Sequence, residues 1–418
     1  MKGKAFFAPT FGALVVWLFA LAGAVAIVYR FWAGIGAVTN LSDGYPWGLW
    51  VAVDILAGVA LAAGGFVVAG VAHLFGGKQF EALARPAVLA ALLGYLMFVL
   101  GLIVDMGRPW NMIYLYFGNH GSPLYEIGWC ASLYTLVLCM ELLPAVLEKY
   151  SMKRAHAIWL MSSPWLVVVL LSTFAYAMTY SLAWAMIVAA VLSAWELSMA
   201  FGKSRRTVQI PILLIGAGVI LSFLHQSSLG VLFLMASHKL SPLWHSPLLP
   251  ILFLVSAICA GIGMMTLEAL GSEKFMGRRI PFAPLAAFAR QMPVILAFYL
   301  ILKIADILAR DALHLVFAGG TAAVMWWAEM GLGLALPLAL YLKPGFVDNR
   351  RGLFAASFLV VAGVVINRIN VAMIGVEVER WGPYRPSFTE LLITFGIIAM
   401  GLLAYDFLSD ELPIHEGA

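Results

Sequence analysis

Apolar segments about 20 residues long recur from one end of this sequence to the other, and they limit the fold more than any other feature. Of the 418 residues, 63% are hydrophobic and 11% are charged, whereas soluble domains carry about 25% charged residues. A run of roughly 20 apolar residues can cross a bilayer as a helix, and transmembrane strands would instead alternate in short segments. We therefore predict an all-α fold, a polytopic transmembrane helical bundle that forms one integral membrane domain.

The segments can be counted, with one ambiguity. The fifth and sixth are separated only by a short link around Ser172–Tyr176, so they form either a tight hairpin or a partly re-entrant pair, and the chain has ten or twelve spans. We place the twelve segments at 8–36, 46–75, 86–107, 124–148, 156–173, 176–201, 208–236, 248–272, 286–309, 312–342, 353–375 and 388–408.

The distribution of positive charge predicts the orientation. Lys and Arg concentrate at the N-terminus and in the even-numbered loops, and cytoplasmic loops carry this excess, so both termini are predicted to be cytoplasmic. The sequence contains no basic stripe of the kind that would suggest nucleic-acid binding. We expect a partner or substrate at the outer face, because the aromatic, proline-rich loops fall there: Leu41–Trp47, Asp105–Glu126, Ser237–Pro247 and Glu377–Phe388.

Metal and haem ligands are not predicted in this chain. The cysteines Cys130, Cys139 and Cys259 lie in apolar segments without a Cys-x-x-Cys pair, which excludes a cysteine-ligated iron–sulfur cluster within the chain. A b-type haem held by two histidines needs them at matching depth on facing helices. His225 is deep, whereas His73 falls at an inner helix end, so we expect no haem.

The stretch from Asp105 to Glu126 joins two apolar segments and is rich in charge and aromatic rings. Asp105 and Arg108 would touch if the third helix continued that far, which would make them a structural pair. Carboxylates at the membrane boundary could equally exchange protons with a bound quinone. Trp110 and its aromatic neighbours form either an interfacial belt or part of a ring-binding site.

Two further motifs place polar groups inside predicted spans. Asp54 lies about 12 Å into the second span, which begins near Trp47; it either caps or pairs with a neighbouring group such as Arg108, or carries protons beside a quinone. The other motif lies roughly 17 Å deep in the seventh span, where His225 can hold a proton or bond a quinone carbonyl. Its residues are His225, Gln226, Ser227 and Ser228.

Other ionisable residues are predicted inside the membrane. Lys303 and Asp306 are spaced to pair with each other. Glu141 and Glu196 fall in inner halves and could extend a proton path, although buried carboxylates also hold helices together. The remaining members of this set are Glu268, Glu329 and Arg368.

The motifs together resemble the NrfD/PsrC family, and in particular its branch of HybB-like membrane subunits of periplasmic hydrogenases and related menaquinone reductase complexes. The resemblance covers nearly the whole chain. It is carried by Tyr-Pro-Trp-Gly at 45–48, Asp-Met-Gly-Arg-Pro-Trp-Asn at 105–111, Tyr-Glu at 125–126, His-Gln-Ser-Ser-Leu-Gly at 225–230, Pro-Leu-Trp at 242–244 and the segment Tyr384–Glu390.

The resemblance implies a multi-pass subunit of the bacterial inner membrane, free of haem and clusters, that exchanges electrons between menaquinone or another quinone and a periplasmic partner. That partner would be an iron–sulfur protein, with a hydrogenase, molybdopterin-type or multihaem cytochrome subunit beside it. The quinone would bind near the outer face within a bundle formed by about 46–148 and 208–272. Asp105, Arg108, Glu126 and His225 would belong to that site or border it.

One departure and one rival class remain at this stage. Residues 150–207 add a helical hairpin to the ten spans expected of a hydrogenase subunit, so a menaquinone reductase fed by multihaem cytochromes stays open. A secondary transporter, or a proton-translocating subunit without redox chemistry, would also carry buried charge. Such a transporter should show broken helices near the midplane and often inverted repeats, which are not evident in the sequence.

Overall fold

A computed structural model of the chain describes residues 5–7, 10–74, 77–201, 211–235, 239–278, 280–376 and 384–414, so parts of two predicted outer loops, 236–238 and 377–383, lie outside the described residues. The described residues are nearly all helical. Twelve of their helices are long and apolar enough to cross a membrane, which confirms the predicted all-α bundle and the higher of the two span counts. They are α1 (Phe11–Ala33), α2 (Trp50–His73), α3 (Glu81–Asp105), α4 (Pro123–Lys149), α5 (Lys153–Thr179), α6 (Leu182–Met199), α7 (Ile212–Leu234), α8 (Leu249–Met276), α9 (Phe282–Ala309), α10 (Gly320–Leu342), α11 (Arg350–Ile374) and α12 (Phe388–Glu411).

The two ends of the bundle differ in chemistry. We call the end that carries the loop between α3 and α4 the motif end, and the opposite end the basic end. Ion pairs tie helix termini together at the basic end, for example Arg85 with Glu148 at 2.9 Å and Lys149 with Glu411 at 2.8 Å. This asymmetry agrees with the charge pattern of the loops, and the predicted cytoplasmic position of the termini stays a prediction.

The fifth and sixth spans form a tight hairpin at the edge of the molecule. α5 ends at Thr179, and Tyr180 follows in the left-handed conformation with φ 52°. The link is therefore at residues 180–181, not around Ser172–Tyr176 as the sequence suggested, and the alternative of a re-entrant pair is wrong because both helices are long enough to span. Only 11% of the α6 window is buried, so most of this helix faces the surroundings of the protein.

α2 is the central helix of the first bundle, which it forms with α3, α4 and α7. Small residues allow the close packing: a Cβ on Gly65 would lie 2.5 Å from the Cβ of Ala91, and one on Gly94 would lie 2.7 Å from the Cβ of Ala62. α2 is also irregular, with a π-helical stretch at Trp50–Ala57. Such π-helical segments are rare and frequently lie at functional sites.

Local sequence signals fix where α4 and α12 begin at the motif end. Ser122 caps α4 by accepting a hydrogen bond from the amide of Leu124, and Pro123 occupies the first turn. Ser387 and Glu390 form a reciprocal capping box at the start of α12. The carboxylates of Glu126 and Glu390 are thereby held in first helical turns, where the helix dipole favours negative charge.

The second bundle consists of α8, α9, α10 and α11 and contains a buried charge pair. Lys303 of α9 contacts Glu329 of α10, and Asp306 pairs with Arg310 at 2.7 Å. The predicted pairing of Lys303 with Asp306 is wrong. The physical reason is that Glu329 on the neighbouring helix offers a buried partner, whereas Asp306 can reach an arginine one turn further along its own helix.

Candidate functional site

Two carboxylates lie close to each other between α2 and α3 near the motif end. Asp54 is 6% exposed, and its Cβ lies 2.9 Å from the position that a Cβ on Gly101 would occupy. Asp105 is four residues beyond Gly101, so it lies on the same face of α3, one turn nearer to the end. The two carboxylates interact electrostatically. The sequence predicted both residues as site members, and the structure brings them together.

Arg30 of α1, not Arg108, is the cation beside Asp105. α3 ends at Asp105, so the predicted contact with Arg108 one helical turn later is not formed, and Arg108 is exposed. Arg30 is 3% exposed and donates hydrogen bonds to the carbonyls of Val104 at 2.7 Å and Met106 at 2.5 Å. It therefore fixes the backbone on both sides of Asp105. One oxygen of Asp105, Oδ1, is buried without a hydrogen-bond partner among the described residues.

α12 supplies the remaining contacts of this group. Thr394 donates a hydrogen bond to Asp54 Oδ2 at 2.6 Å. Glu390 is fully buried and accepts hydrogen bonds from the amides of Asn40 and Ser387. Its carboxylate also interacts with Asp105. We call Arg30, Asp54, Asp105, Glu390 and Thr394 the carboxylate cluster.

Tyr384, in the segment before α12, closes the cluster from the motif end. Its hydroxyl donates to Glu390 and accepts a hydrogen bond from the amide of Leu49 at 3.1 Å. Burial, together with this hydrogen bond to Glu390, raises the pKa of the Tyr384 hydroxyl well above its ordinary value. The tyrosine therefore stays protonated and acts as a donor to Glu390 at neutral pH.

His225 lies deeper in the first bundle, packed against α3. Its ring is 5.5 Å from the rings of both Tyr95 and Phe98, measured between centroids, and the residue is fully buried. It interacts with the backbone of Ile127 on α4, but neither ring nitrogen has a hydrogen-bond partner of ordinary geometry among the described residues. Phe98 is seven residues before Asp105, so about 10 Å along α3 separates the level of His225 from Asp105.

The residues after His225 divide into two kinds. Gln226 is fully buried and donates to the carbonyl of Val59 on α2 at 2.9 Å, while its Oε1 has no partner among the described residues. Ser227 and Ser228 instead donate to the carbonyl of Leu224 in their own helix. Of these three predicted residues, only Gln226 presents an unused polar atom to the interior.

The other predicted residues form the rim at the motif end. The ring of Trp47 packs 4.9 Å from that of Phe233 on α7. Trp110 is 73% exposed on the short helical segment Pro109–Ile113. Glu126 is partly buried in the first turn of α4. These side chains surround the first bundle's end without contacting His225 directly.

A line of polar groups that sequence reasoning missed runs from His225 toward the basic end. Ser222 lies three residues before His225, and Tyr95 and Tyr134 pack ring to ring with centroids 4.7 Å apart. The hydroxyl oxygens of Tyr95, Tyr134 and Ser222 are buried without partners of ordinary geometry among the described residues. Leaving a buried polar group unsatisfied costs about 1–3 kcal/mol, so these groups are suited to hydrogen-bond water.

This line, which we call the polar seam, continues to Glu141. Gly218 leaves the space: a Cβ there would lie 3.2 Å from Glu141 Oε1 and 3.7 Å from the Tyr134 ring. Gly218, Ser222 and His225 follow a spacing of four and three residues, which places them on one face of α7. The polar seam therefore connects His225 with Glu141 through the interior of the first bundle.

Two cavities stand out among the described residues. One of about 40 Å³ lies at the basic end and is lined by Glu141, His73, Arg85, Glu148 and His156 among others. It is large enough for two or three water molecules. The other, of about 10 Å³, lies in the second bundle. Neither is lined by Asp105, Glu126 or His225, because close packing against Tyr95 and Phe98 encloses the histidine.

These features define an integral membrane protein whose first helical bundle buries a set of ionisable and polar groups. A profile described as "Polysulphide reductase, NrfD" matches residues 37–378, and the chain therefore belongs to the NrfD family. The resemblance drawn from the motifs is confirmed.

Similar proteins come from bacteria and archaea. The chain is 29% identical to the probable Ni/Fe-hydrogenase 2 b-type cytochrome subunit of Escherichia coli K12, over 93% of this chain and 88% of the relative. It is 26% identical to the menaquinone reductase integral membrane subunit of Nitratidesulfovibrio vulgaris, over 91% and 86%. It is 23% identical to the Hdr-like menaquinol oxidoreductase integral membrane subunit of Archaeoglobus fulgidus, over 88% and 85%. The chain is a membrane subunit of the quinone oxidoreductase class.

The name of the hydrogenase relative raises the question of haem, and the surroundings of His225 do not fit one. The α3 face opposite this histidine presents the rings of Tyr95 and Phe98, not a second axial ligand. No group of three or more His, Cys, Asp or Glu residues suited to a metal ion is found in the part of the chain that the structure describes. We therefore derive no step through a haem.

Sequence reasoning missed residues that act through contacts between helices. Arg30 lies within the first apolar segment and escaped attention, although a buried arginine in a span is itself a signal of a partner or a function. Tyr95, Tyr134, Ser222 and Thr394 are ordinary members of hydrophobic spans, and no local spacing distinguishes them.

Proposed function

We propose that this chain is the quinone-binding membrane subunit of a respiratory oxidoreductase in the bacterial inner membrane. It exchanges electrons between menaquinone, or another quinone, and a periplasmic iron–sulfur or multihaem cytochrome partner. The observation that supports this function most is the arrangement along α3 of Asp105, Asp54 and an enclosed His225, whose two ring nitrogens have no hydrogen-bond partner of ordinary geometry among the described residues. Membrane subunits named for menaquinone chemistry among the relatives support the same choice.

Quinone chemistry needs proton exchange as well as electrons. Oxidation of a quinol releases two electrons and two protons, and reduction of a quinone takes up the same number. We assign this exchange to Asp105, Glu126 and His225, because carboxyl and imidazole groups can give and take protons near neutral pH. The residues that we assign to binding the quinone, or to the border of its site, are Trp47, Asp54, Arg108, Trp110 and Gln226 to Ser228.

The polar seam offers these protons a route to the basic end. Glu141 lies at its far end and lines the 40 Å³ cavity there, beside Glu148 and His156. Glu196, the other carboxylate that the sequence suggested for such a path, lies on the peripheral α6 and does not line this cavity. We therefore assign the route to Glu141 alone.

The partner is proposed to dock at the motif end, which we place on the periplasmic side. Exposed aromatic side chains project there from the segment between α3 and α4, with Trp110 73% exposed, Tyr114 65% and Phe117 76%. Interfaces are enriched in such residues. The complex would contain, besides this chain and its iron–sulfur partner, a hydrogenase, a molybdopterin-type enzyme or a multihaem cytochrome.

Replacement of His225 by Ala tests the proposed function directly. We expect the complex to assemble at wild-type levels and its turnover with a soluble menaquinone analogue to fall by roughly 10²-fold or more, the usual worth of a general acid–base group. His314→Ala is the control, because that histidine is exposed near the end of α9. Turnover equal to wild type in the His225 variant would remove this residue from the site.

Glu126→Gln is a second test of the proposed function. The variant cannot ionise at this position, so the pH profile of quinone turnover should change its midpoint while the yield of assembled complex does not. An unchanged profile would remove Glu126 from proton exchange, and the assignment would then rest on Asp105 and His225.

A further inference from the structure

The first and last helices, α1 and α12, contribute buried polar side chains to a region that the family resemblance assigns to the first bundle. Arg30 comes from α1 and Thr394 from α12, and both are almost fully enclosed. The helices themselves are joined closely, since a Cβ on Gly23 would lie 2.5 Å from the Cα of Gly396. Two residues distant in sequence thus reach the carboxylates of α2 and α3 from one side.

Each of the two residues ties a carboxylate, or the backbone beside it, to another helix. The carbonyls of Val104 and Met106 belong to the end of α3, and one guanidinium spans both of them around Asp105. Arg30 therefore caps this buried helix end, and it also places a cation beside the carboxylate of Asp105, which offsets the cost of burying an arginine in a membrane protein. Thr394 donates its hydroxyl proton to a carboxylate on another helix, whereas threonines inside helices commonly bond a carbonyl of their own helix, as Thr266 does with Ile262.

We propose that Arg30 and Thr394 are positioning residues of the quinone site, which hold Asp105 and Asp54 so that the two carboxyl groups share and pass on a proton. This inference rests on the proposed function. The guanidinium sets the place and the charge balance of Asp105, and the threonine hydroxyl orients Asp54 toward it. A proton released when a quinol is oxidised then has two adjacent acceptors, which cannot both ionise easily at close range.

The groups that face the pair come from α1, from α12 and from the segment before α12. α1 provides Arg30, the segment before α12 provides Tyr384, and α12 provides Glu390 and Thr394. Glu390 is already engaged by the Ser387 amide and by Tyr384. Asp105 Oδ1 is buried without a hydrogen-bond partner among the described residues, so this oxygen can accept a proton or a hydrogen bond from a ligand.

The experiment compares Thr394→Val, Thr394→Ser, Arg30→Gln and Arg30→Lys in the purified complex. Loss of the hydroxyl or of the cation favours the neutral carboxyl, so the midpoint of the pH profile of turnover should move upward, by about one pH unit for Arg30→Gln. Serine restores the donor and lysine restores the charge, so both should return the midpoint toward wild type. Thr266→Val and Arg278→Gln are the controls toward the basic end: a buried threonine, and a partly buried arginine that bonds the carbonyl of Asp406 and pairs with the carboxylates of Asp406 and Asp410.

A second measurement separates this inference from the proposed function. Infrared titration of the protonated carboxyl band, in the complex without quinone, should show a component that Asp105→Asn removes and that Thr394→Val and Arg30→Gln displace to higher pH. If wild-type complex has no quinone turnover but the band moves as expected, the proposed function fails and the positioning stands. If turnover is normal while both midpoint and band stay unchanged in Thr394→Val and Arg30→Gln, the positioning is overturned. Should Arg30→Gln fail to assemble, the two Thr394 variants decide.

Discussion

Glu329 is a buried carboxylate in which both oxygens accept hydrogen bonds from more than one donor. One carboxylate oxygen accepts from Lys303 and from Asn367 at 2.9 Å, and the other accepts from Trp244 at 3.0 Å and Asn370 at 2.8 Å. His225 is the opposite case, enclosed but without partners of ordinary geometry. The contrast suggests that the second bundle uses its buried charge to hold helices together, and that the first bundle keeps polar atoms available.

Removal of one member of the buried pair should therefore destabilise the protein strongly. Lys303→Met leaves Glu329 charged and enclosed without its cation, and breaking a buried pair in this way costs about 3–5 kcal/mol. We expect a clear drop in the thermal unfolding temperature in detergent. Arg290→Met is the control, because its pair with Asp348 is 62% and 57% exposed and should contribute at most about 1 kcal/mol. Equal stability of the two variants would contradict the structural role of the Lys303 pair.

At the scale of elements, hydropathy predicted where the helices lie but not which residues they bring together. Each apolar segment produces one span because a long apolar run has little alternative to a membrane helix. Partner choice is a property of two helices at once. Lys303 illustrates this, since the local spacing rule selected Asp306 and the neighbouring helix supplied Glu329. Arg30 illustrates it again, because Asp105 is 75 positions away in sequence, and no periodicity links them.

The close helix contacts at glycine can be tested by adding a methyl group and measuring the stability of the protein. α10 and α11 approach so closely that a Cβ on Gly333 would lie 2.5 Å from the Cα of Gly363. Gly333→Ala should separate the two helices and lower stability by about 1–3 kcal/mol, the usual cost of overpacking. Gly331→Ala, two residues earlier on α10 with nothing within 4 Å of the added atom, should leave the unfolding temperature nearly unchanged. A similar loss in both variants would mean that α10 itself, rather than the contact, is sensitive.

At the scale of the whole molecule, the charge pattern predicts an orientation that can be tested independently of redox chemistry. Cytoplasmic loops carry an excess of positive charge, and the basic end of this protein, with ion pairs between helix ends such as Arg85 with Glu148, is predicted to be the cytoplasmic one. The predicted site residues belong mainly to the opposite half. Quinone chemistry and partner docking would then share one side of the membrane, while the polar seam leads away from it.

Reporter fusions check this orientation. Alkaline phosphatase inserted after Phe117, in the loop between α3 and α4, should be active, because that enzyme folds only outside the cytoplasm. The same reporter fused after Ile414 should be inactive, and a fluorescent protein there should fold and emit. The reversed pattern would move the proposed partner to the cytoplasmic side, although the carboxylate cluster would keep its internal contacts.

The hairpin of α5 and α6 carries a consequence for how chains of this kind can vary in length. Two spans inserted together cross the bilayer out and back, so every later loop stays on its original side. Only 11% of the α6 window is buried, whereas α5 packs on α4, where Tyr125 donates a hydrogen bond to the carbonyl of Ala177. Chains that differ by such a pair of spans therefore keep all their other loops on the same sides of the membrane, a simple rule of even-numbered growth.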